Sequence, residues 1–168
     1  MDNNLPKRKT IRLRKYDYKQ AGIYFVTICT EGRQCVLSEI SPAVPTDFVG
    51  EGLCALPKPI LTPIGIETEK AILHISENAG YEVDKYVIMP NHVHILISVS
   101  NDENKKEPPS LNDVIGRLKS YTTHEYGKLL WQRSFYDHIV RDQSDYQNIW
   151  AYIDTNAAKW REDRYYSK

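Results

Sequence analysis

The segment from Tyr86 to Val99, Tyr-Val-Ile-Met-Pro-Asn-His-Val-His-Ile-Leu-Ile-Ser-Val, constrains the fold more than any other stretch of the chain. Two runs of β-branched and large apolar residues flank Pro90-Asn91, a dipeptide that favours a tight turn. The pattern predicts strands near 82–89 and over 92–99, folded back on each other as an antiparallel hairpin. Alternation along the second strand puts His92 and His94 on one face and turns Val93 into the core behind them. The two imidazoles are then about 7 Å apart along the strand, twice the rise per residue. Such a pair is a bidentate metal platform once a third group, a carboxylate or an amide oxygen, arrives from another element. The spacing fits equally two hydrogen-bonded surface histidines.

The rest of the chain supplies elements around this hairpin. Gly22 opens a strand over Ile23 to Cys29 whose two faces both read as buried. Residues 39–60 carry four prolines and two glycines, which predicts an irregular surface loop with a short strand near 34–37. Thr62-Pro63 is an N-cap followed by proline at the first helical position, and Gly80 marks the end of that helix. After a polar linker over 101–109, Ser110 and Asp113 make a capping-box-like start to a helix reaching about Tyr126. A further strand fits Ser134 to Arg141, and a last helix begins near Asp142, passes Tyr152 and reaches Asn156 or beyond. The order β-α-β-β-α-β-α predicts an α+β fold, a ferredoxin-like split β-α-β antiparallel sheet with an additional C-terminal helix. At 168 residues the expectation is a single domain spanning 1–168.

Charge narrows the partners. Lysine plus arginine equals aspartate plus glutamate at 22 each, so any polyanion site is local. The segment 1–20 holds such an excess, with Lys7, Arg8, Lys9, Arg12, Arg14, Lys15 and Lys19 against Asp2 and Asp17, interleaved with Tyr16 and Tyr18. Cations can displace counterions from a nucleic-acid backbone, and tyrosines can stack on unpaired bases; a solvated basic tail has the same composition. Lys119 and Arg133, with Arg117 and Arg141, are further candidate phosphate contacts. Cys29, Cys35 and Cys54 form no Cys-x-x-Cys pair and no disulfide framework, which suits a reducing cytoplasm. With no apolar leader and no run of 18 apolar residues, the reading is a soluble, cytoplasmic protein without a membrane partner.

On the last helix Tyr152 and Asn156 are four residues apart and share a face, with Ile149 and Ile153 close enough to anchor it. An asparagine oxygen can ligate a hard divalent cation, and a phenol one turn away can be held beside whatever that cation polarises. A metal with a tyrosine points to phosphoryl transfer; a sheet-covering tyrosine and a helix-end asparagine explain the spacing as well.

At these residues the chain resembles the REP-associated tyrosine transposases, within the single-tyrosine HUH transposases of bacterial insertion sequences. The resemblance rests on Tyr24-Phe25-Val26-Thr27, Met89-Pro90-Asn91-His92-Val93-His94, Leu118-Lys119-Ser120-Tyr121, the run from Trp131 to Arg141, and the helix from Asp145-Tyr146 to Lys159-Trp160. It implies a metal-dependent enzyme that nicks and joins single-stranded or hairpin DNA through a 5′-phosphotyrosine, working as a monomer or homodimer. By the same resemblance His92, His94 and Asn156 hold Mg²⁺ or Mn²⁺, and Tyr152 is the nucleophile, with Tyr146 and Tyr121 as rivals. His138 is a candidate base for the tyrosine. The family commonly follows the asparagine with proline, where this chain has Ala157, so a helix stop is missing. A degenerate relative that binds hairpins without cutting, and a metal-dependent hydrolase with an incidental tyrosine, are the competing readings.

Overall fold

The computed structural model describes residues 20–41, 57–78, 80–100 and 109–166. Cys54 and the basic residues Lys7, Arg8, Lys9, Arg12, Arg14, Lys15 and Lys19 lie outside them. Along the chain run β1 (Gly22–Cys29), β2 (Ser38–Ile40), β3 (Pro59–Leu61), α1 (Pro63–Leu73), β4 (Tyr81–Ile88), β5 (His92–Val99), α2 (Leu111–Tyr126), β6 (Tyr136–Val140) and α3 (Gln143–Thr155). The main sheet has the order β4-β5-β1-β6, and all neighbouring strands are antiparallel. That is the order expected of a split β-α-β sheet, with the two most apolar strands, β1 and β5, at its centre.

Strand alternation gives the sheet two unlike faces. Tyr24, Val26 and Ile28 of β1 and Val93, Ile95 and Ile97 of β5 enter one core with Ile72 of α1 and Leu111, Val114, Ile115 and Leu118 of α2. Phe25 and Leu96 point the other way and meet Ile149 and Ile153 of α3. Each of those isoleucines, buried at 8% and 2% exposure, contributes roughly 1.5–3 kcal/mol to holding α3 on the sheet. The helix that carries Tyr152 therefore lies on the face that bears the two histidines.

The helix starts follow their caps. Thr62 Oγ1 accepts from Gly65 N–H at 3.1 Å, Ser110 Oγ from Asp113 N–H at 3.3 Å, and Asp142 Oδ1 from Asp145 N–H at 2.9 Å, each satisfying an otherwise orphaned donor. Two expectations need correction. The α1 helix gives way after Leu73 to a 3₁₀ turn, His74–Glu77, well before Gly80. The reason is Asn78, whose side-chain amide donates to the carbonyls of His74 and Ile75 and closes the chain there. The short strand lies at Ser38–Ile40 rather than 34–37, and it pairs with Pro59–Leu61 across what the prolines and glycines suggested was structureless. Pairing at the two ends of a loop is set by long-range backbone hydrogen bonds, which composition does not encode.

Candidate active site

His92 and His94 are both buried, at 0% and 1% exposure, on the α3 face of the sheet. Their rings tilt together, so the centroids are 4.6 Å apart and the two Nε2 atoms only 3.1 Å apart, closer than the strand repeat alone suggests. Neighbours fix each ring. Asn91 Nδ2 donates to the carbonyls of Tyr165 and Arg33, which leaves Oδ1 to accept from His92 Nδ1 at 2.9 Å. The His92 proton is thereby placed on Nδ1 and its Nε2 presents a lone pair. His94 Nδ1 lies 2.8 Å from Thr27 Oγ1, its cross-strand partner in the β1–β5 register. Phe25 stacks on His94 with centroids 5.1 Å apart, and Tyr165 covers His92 at 4.7 Å.

Electrostatics keep this pair neutral. Burial lowers the His92 pKa below its ordinary 6.5, Arg164 and Arg33 add to the effect, and Asp163 opposes it. For His94 burial again dominates, reinforced by His92 and Arg164. Both imidazoles are thus uncharged at pH 7, the form that binds metal.

The α3 helix brings Tyr152 to the same point. Its hydroxyl is 3.2 Å from His94 Nε2 and donates to Asp163 Oδ2 at 3.3 Å. The phenol pKa is pushed up to about 12, first by burial and then by the Asp163 charge, against the Asn156 amide and Arg164. Asn156 follows the last helical residue, is 2% exposed, and donates through Nδ2 to Asp163 Oδ2 at 3.1 Å. Its Oδ1 is buried without a hydrogen-bond partner among the described residues, an acceptor that a cation could satisfy. His92, His94 and Asp163 each offer a ligand atom, all within 4.8 Å of one another. Imidazole nitrogens with an amide and a carboxylate oxygen form a donor set that fits a divalent cation.

The other sequence candidates fall elsewhere. Tyr121 lies on α2, on the opposite side of the sheet, bonded to Glu67 at 2.8 Å. Tyr146 packs into the α3 core and donates to Asp84 at 3.2 Å. His138 Nε2 is 2.8 Å from Asp145 Oδ2, which ties β6 to the first turn of α3. Lys119 directs its ammonium at the carbonyls of Gln132 and Ser134, at 3.0 and 3.1 Å, so it braces a loop. Arg117 donates to Asn78 Oδ1 at 3.3 Å, and Arg133 is exposed in the loop before β6. Asp163, Thr27 and Asn91 are contributors the sequence reading did not assign. Thr27 could have been found by pairing β1 against β5, whereas nothing in the periodicity marks Asp163.

Comparison with known proteins decides the family. The model for IS200-like transposases matches residues 58–156, which span both histidines, Tyr152 and Asn156. The chain belongs to the IS200-like transposase family. This transposase is 26% identical to an uncharacterized protein of Haemophilus influenzae, over 95% of its own length and 93% of the other's. It is 28% identical to a REP-associated tyrosine transposase of Escherichia coli, over 53% of this chain and 52% of that one. A solved structure of a REP-associated tyrosine transposase bound to a REP hairpin shares its fold, with a TM-score of 0.62 at 21% identity, over 88% of this chain and 73% of that one. The family match ends at Asn156, so the tail that brings Asp163 into this transposase's site lies beyond it.

Proposed function

We propose that this IS200-like transposase cleaves and rejoins single-stranded, hairpin-forming DNA, with Tyr152 as nucleophile. The observation that carries the reading is the Tyr152 hydroxyl, 3.2 Å from the Nε2 of His94 at the point where the histidine pair converges. The REP hairpin held by the fold neighbour suggests the form of DNA.

In this reading the Tyr152 oxygen attacks the scissile phosphorus in line, the bond from phosphorus to the 3′-oxygen breaks, and the proton released by the phenol balances the one taken up by the 3′-hydroxyl. The product is a 5′-phosphotyrosine. It retains the energy of the diester, so a second 3′-hydroxyl can reverse the step and join strands without a nucleotide cofactor. His92, His94 and Asn156, with Asp163 beside them, would hold Mg²⁺ or Mn²⁺, which supplies neutralisation of the charge developing on the nonbridging oxygens. Asn91 and Thr27 fix the imidazole orientations, and Ile149 and Ile153 fix the height of Tyr152 above them. Asp163 holds the phenol by its proton.

The test incubates the protein and its Tyr152→Phe variant with labelled hairpin DNA from the flanks of its gene, with Mn²⁺ or EDTA, on denaturing gels. A metal-dependent protein–DNA adduct, lost in the variant, is the expected result. Hairpin binding without an adduct would mark a non-cutting relative. Cleavage that survives in the variant would assign the attack to water or another tyrosine.

A further inference from the structure

A cleft of about 460 Å³ opens beside the histidine pair, bounded by Thr27, Cys29, Arg33, Tyr136, Arg164 and Tyr165. It starts at Thr27, the residue that orients His94, and crosses to Tyr136 at the start of β6, the edge strand of the sheet. No acidic side chain lines it among the described residues.

Its two arginines, Arg33 and Arg164, are exposed but held by neighbours. Arg33 sits in the left-handed region, φ 55°, a conformation that costs energy for a side chain with a Cβ and persists only where neighbours hold it. Three bonds do so: its N–H donates to Thr30 O at 3.1 Å, its carbonyl accepts from Asn91 Nδ2 at 3.4 Å, and its guanidinium donates to Arg164 O at 3.0 Å. The Arg164 guanidinium lies over the rings of both Tyr165 and Tyr136, 4.6 and 5.5 Å from their centroids. It donates to the Tyr165 hydroxyl, and no carboxylate pairs with it among the described residues. Burial pushes the Cys29 thiol pKa up, with Arg33, Arg164 and Lys119 pulling against it and Asp163 adding to it. Tyr136 itself is 36% exposed, so part of its ring is open to solvent.

We propose that this cleft is a binding subsite for the DNA strand next to the scissile phosphate, in which Arg164, steadied by Arg33, meets a backbone phosphate and Tyr136 stacks on an unpaired base. Guanidinium is the side chain best matched to phosphate, and a tyrosine face accepts any base. Position gives the assignment its direction. Thr27 and Tyr165, which line the cleft, also touch His94 and His92, so the cleft adjoins the place where a scissile phosphate would sit. The assignment rests on single-stranded DNA being the partner, as in the function proposed above.

The experiment measures binding of a fluorescent oligothymidine of about 16 nucleotides, the upper range of such sites, by anisotropy in EDTA at several salt concentrations. Arg164→Gln should weaken binding about fivefold and reduce the logarithmic salt slope by about 0.7, the value for one lost phosphate contact on a single strand. Tyr136→Leu should weaken it about fivefold or more with the slope unchanged. Lys70→Gln, on α1 at the other side of the sheet, should bind as wild type does. Circular dichroism melts of all variants separate lost contacts from lost fold. Wild-type binding with unchanged affinity and slope in folded Arg164→Gln and Tyr136→Leu proteins overturns the subsite and leaves the transposase reading standing. Failure of the wild type to bind the oligonucleotide also overturns the subsite, while the transposase reading stands or falls with the hairpin adduct assay.

Discussion

Burying two neutral histidines under α3 makes this fold sensitive to mild acid. In the unfolded chain each imidazole titrates near 6.5, whereas both folded-state values are depressed. Below pH 6.5 the unfolded chain therefore binds more protons than the folded one, so stability is full above that value and falls as the pH drops toward the folded-state pKa values. Each histidine that stays neutral in the fold loses about 1.4 kcal/mol per pH unit in this window. From pH 7 to pH 5 the loss is about 1.9 kcal/mol for one and about 4 kcal/mol for the pair. That is a large share of the 5–15 kcal/mol typical of a domain. Carboxylates do not confuse the window. Glu67 and Asp145 are depressed from 4.5 and 3.8 by their hydrogen bonds to Lys70 and His138, so their contribution is lost only below pH 5. Urea unfolding followed by circular dichroism in EDTA at pH 7 and pH 5 measures the difference. The wild type should lose about 4 kcal/mol and a His92→Gln/His94→Gln protein less than about 1 kcal/mol over the same interval. Equal losses in the two proteins would refute the argument, because the imidazoles would then be charged within the fold.

Other consequences are open to direct measurement. Gly65→Ala should destabilise the protein by about 2 kcal/mol or more in chemical unfolding, since a Cβ there would fall 2.0 Å from the Leu37 carbonyl oxygen, a backbone atom with nowhere to go. Ile153→Ala, at a 2% exposed site, should cost about 2–4 kcal/mol and reduce adduct formation while leaving oligonucleotide affinity near that of wild type. Asn156→Ala should weaken Mn²⁺ binding, read by calorimetry, by about tenfold or more, the usual range for losing one group of a metal site; an unchanged affinity would exclude the amide from the donor set.

Much of this arrangement is legible in the residues because it is local. The His-x-His alternation, the four-residue step from Tyr152 to Asn156, the caps at Thr62 and Ser110 and the helix start near Asp142 depend only on local repeats and capping, and the structure has them as read. What escapes is contact between segments that no repeat connects. Asp163 reaches the site through a tail turn in which its Oδ1 accepts from the Tyr165 N–H at 2.6 Å. Thr27 reaches it through cross-strand register. The Ser38–Ile40 pairing with Pro59–Leu61 likewise forms between residues about twenty apart. Lys119, a helix cation that reads as a candidate phosphate contact, turns its ammonium to backbone carbonyls, because charge patterns do not show which acceptors the fold will bring near.

The sheet divides the molecule unequally, and that has a thermal consequence. On one side α1 and α2 share a broad core; on the other, α3 rests on Phe25, Leu96, Ile149 and Ile153 as its buried apolar part among the described residues. The thinner side is the one to open first, since local opening costs less where fewer apolar contacts must be broken. Warming should therefore lift Tyr152 away from the histidines while the rest of the fold stays intact. With Tyr152 as the proposed nucleophile, competence for chemistry then has a lower ceiling in temperature than the fold itself, set by the seating of one helix.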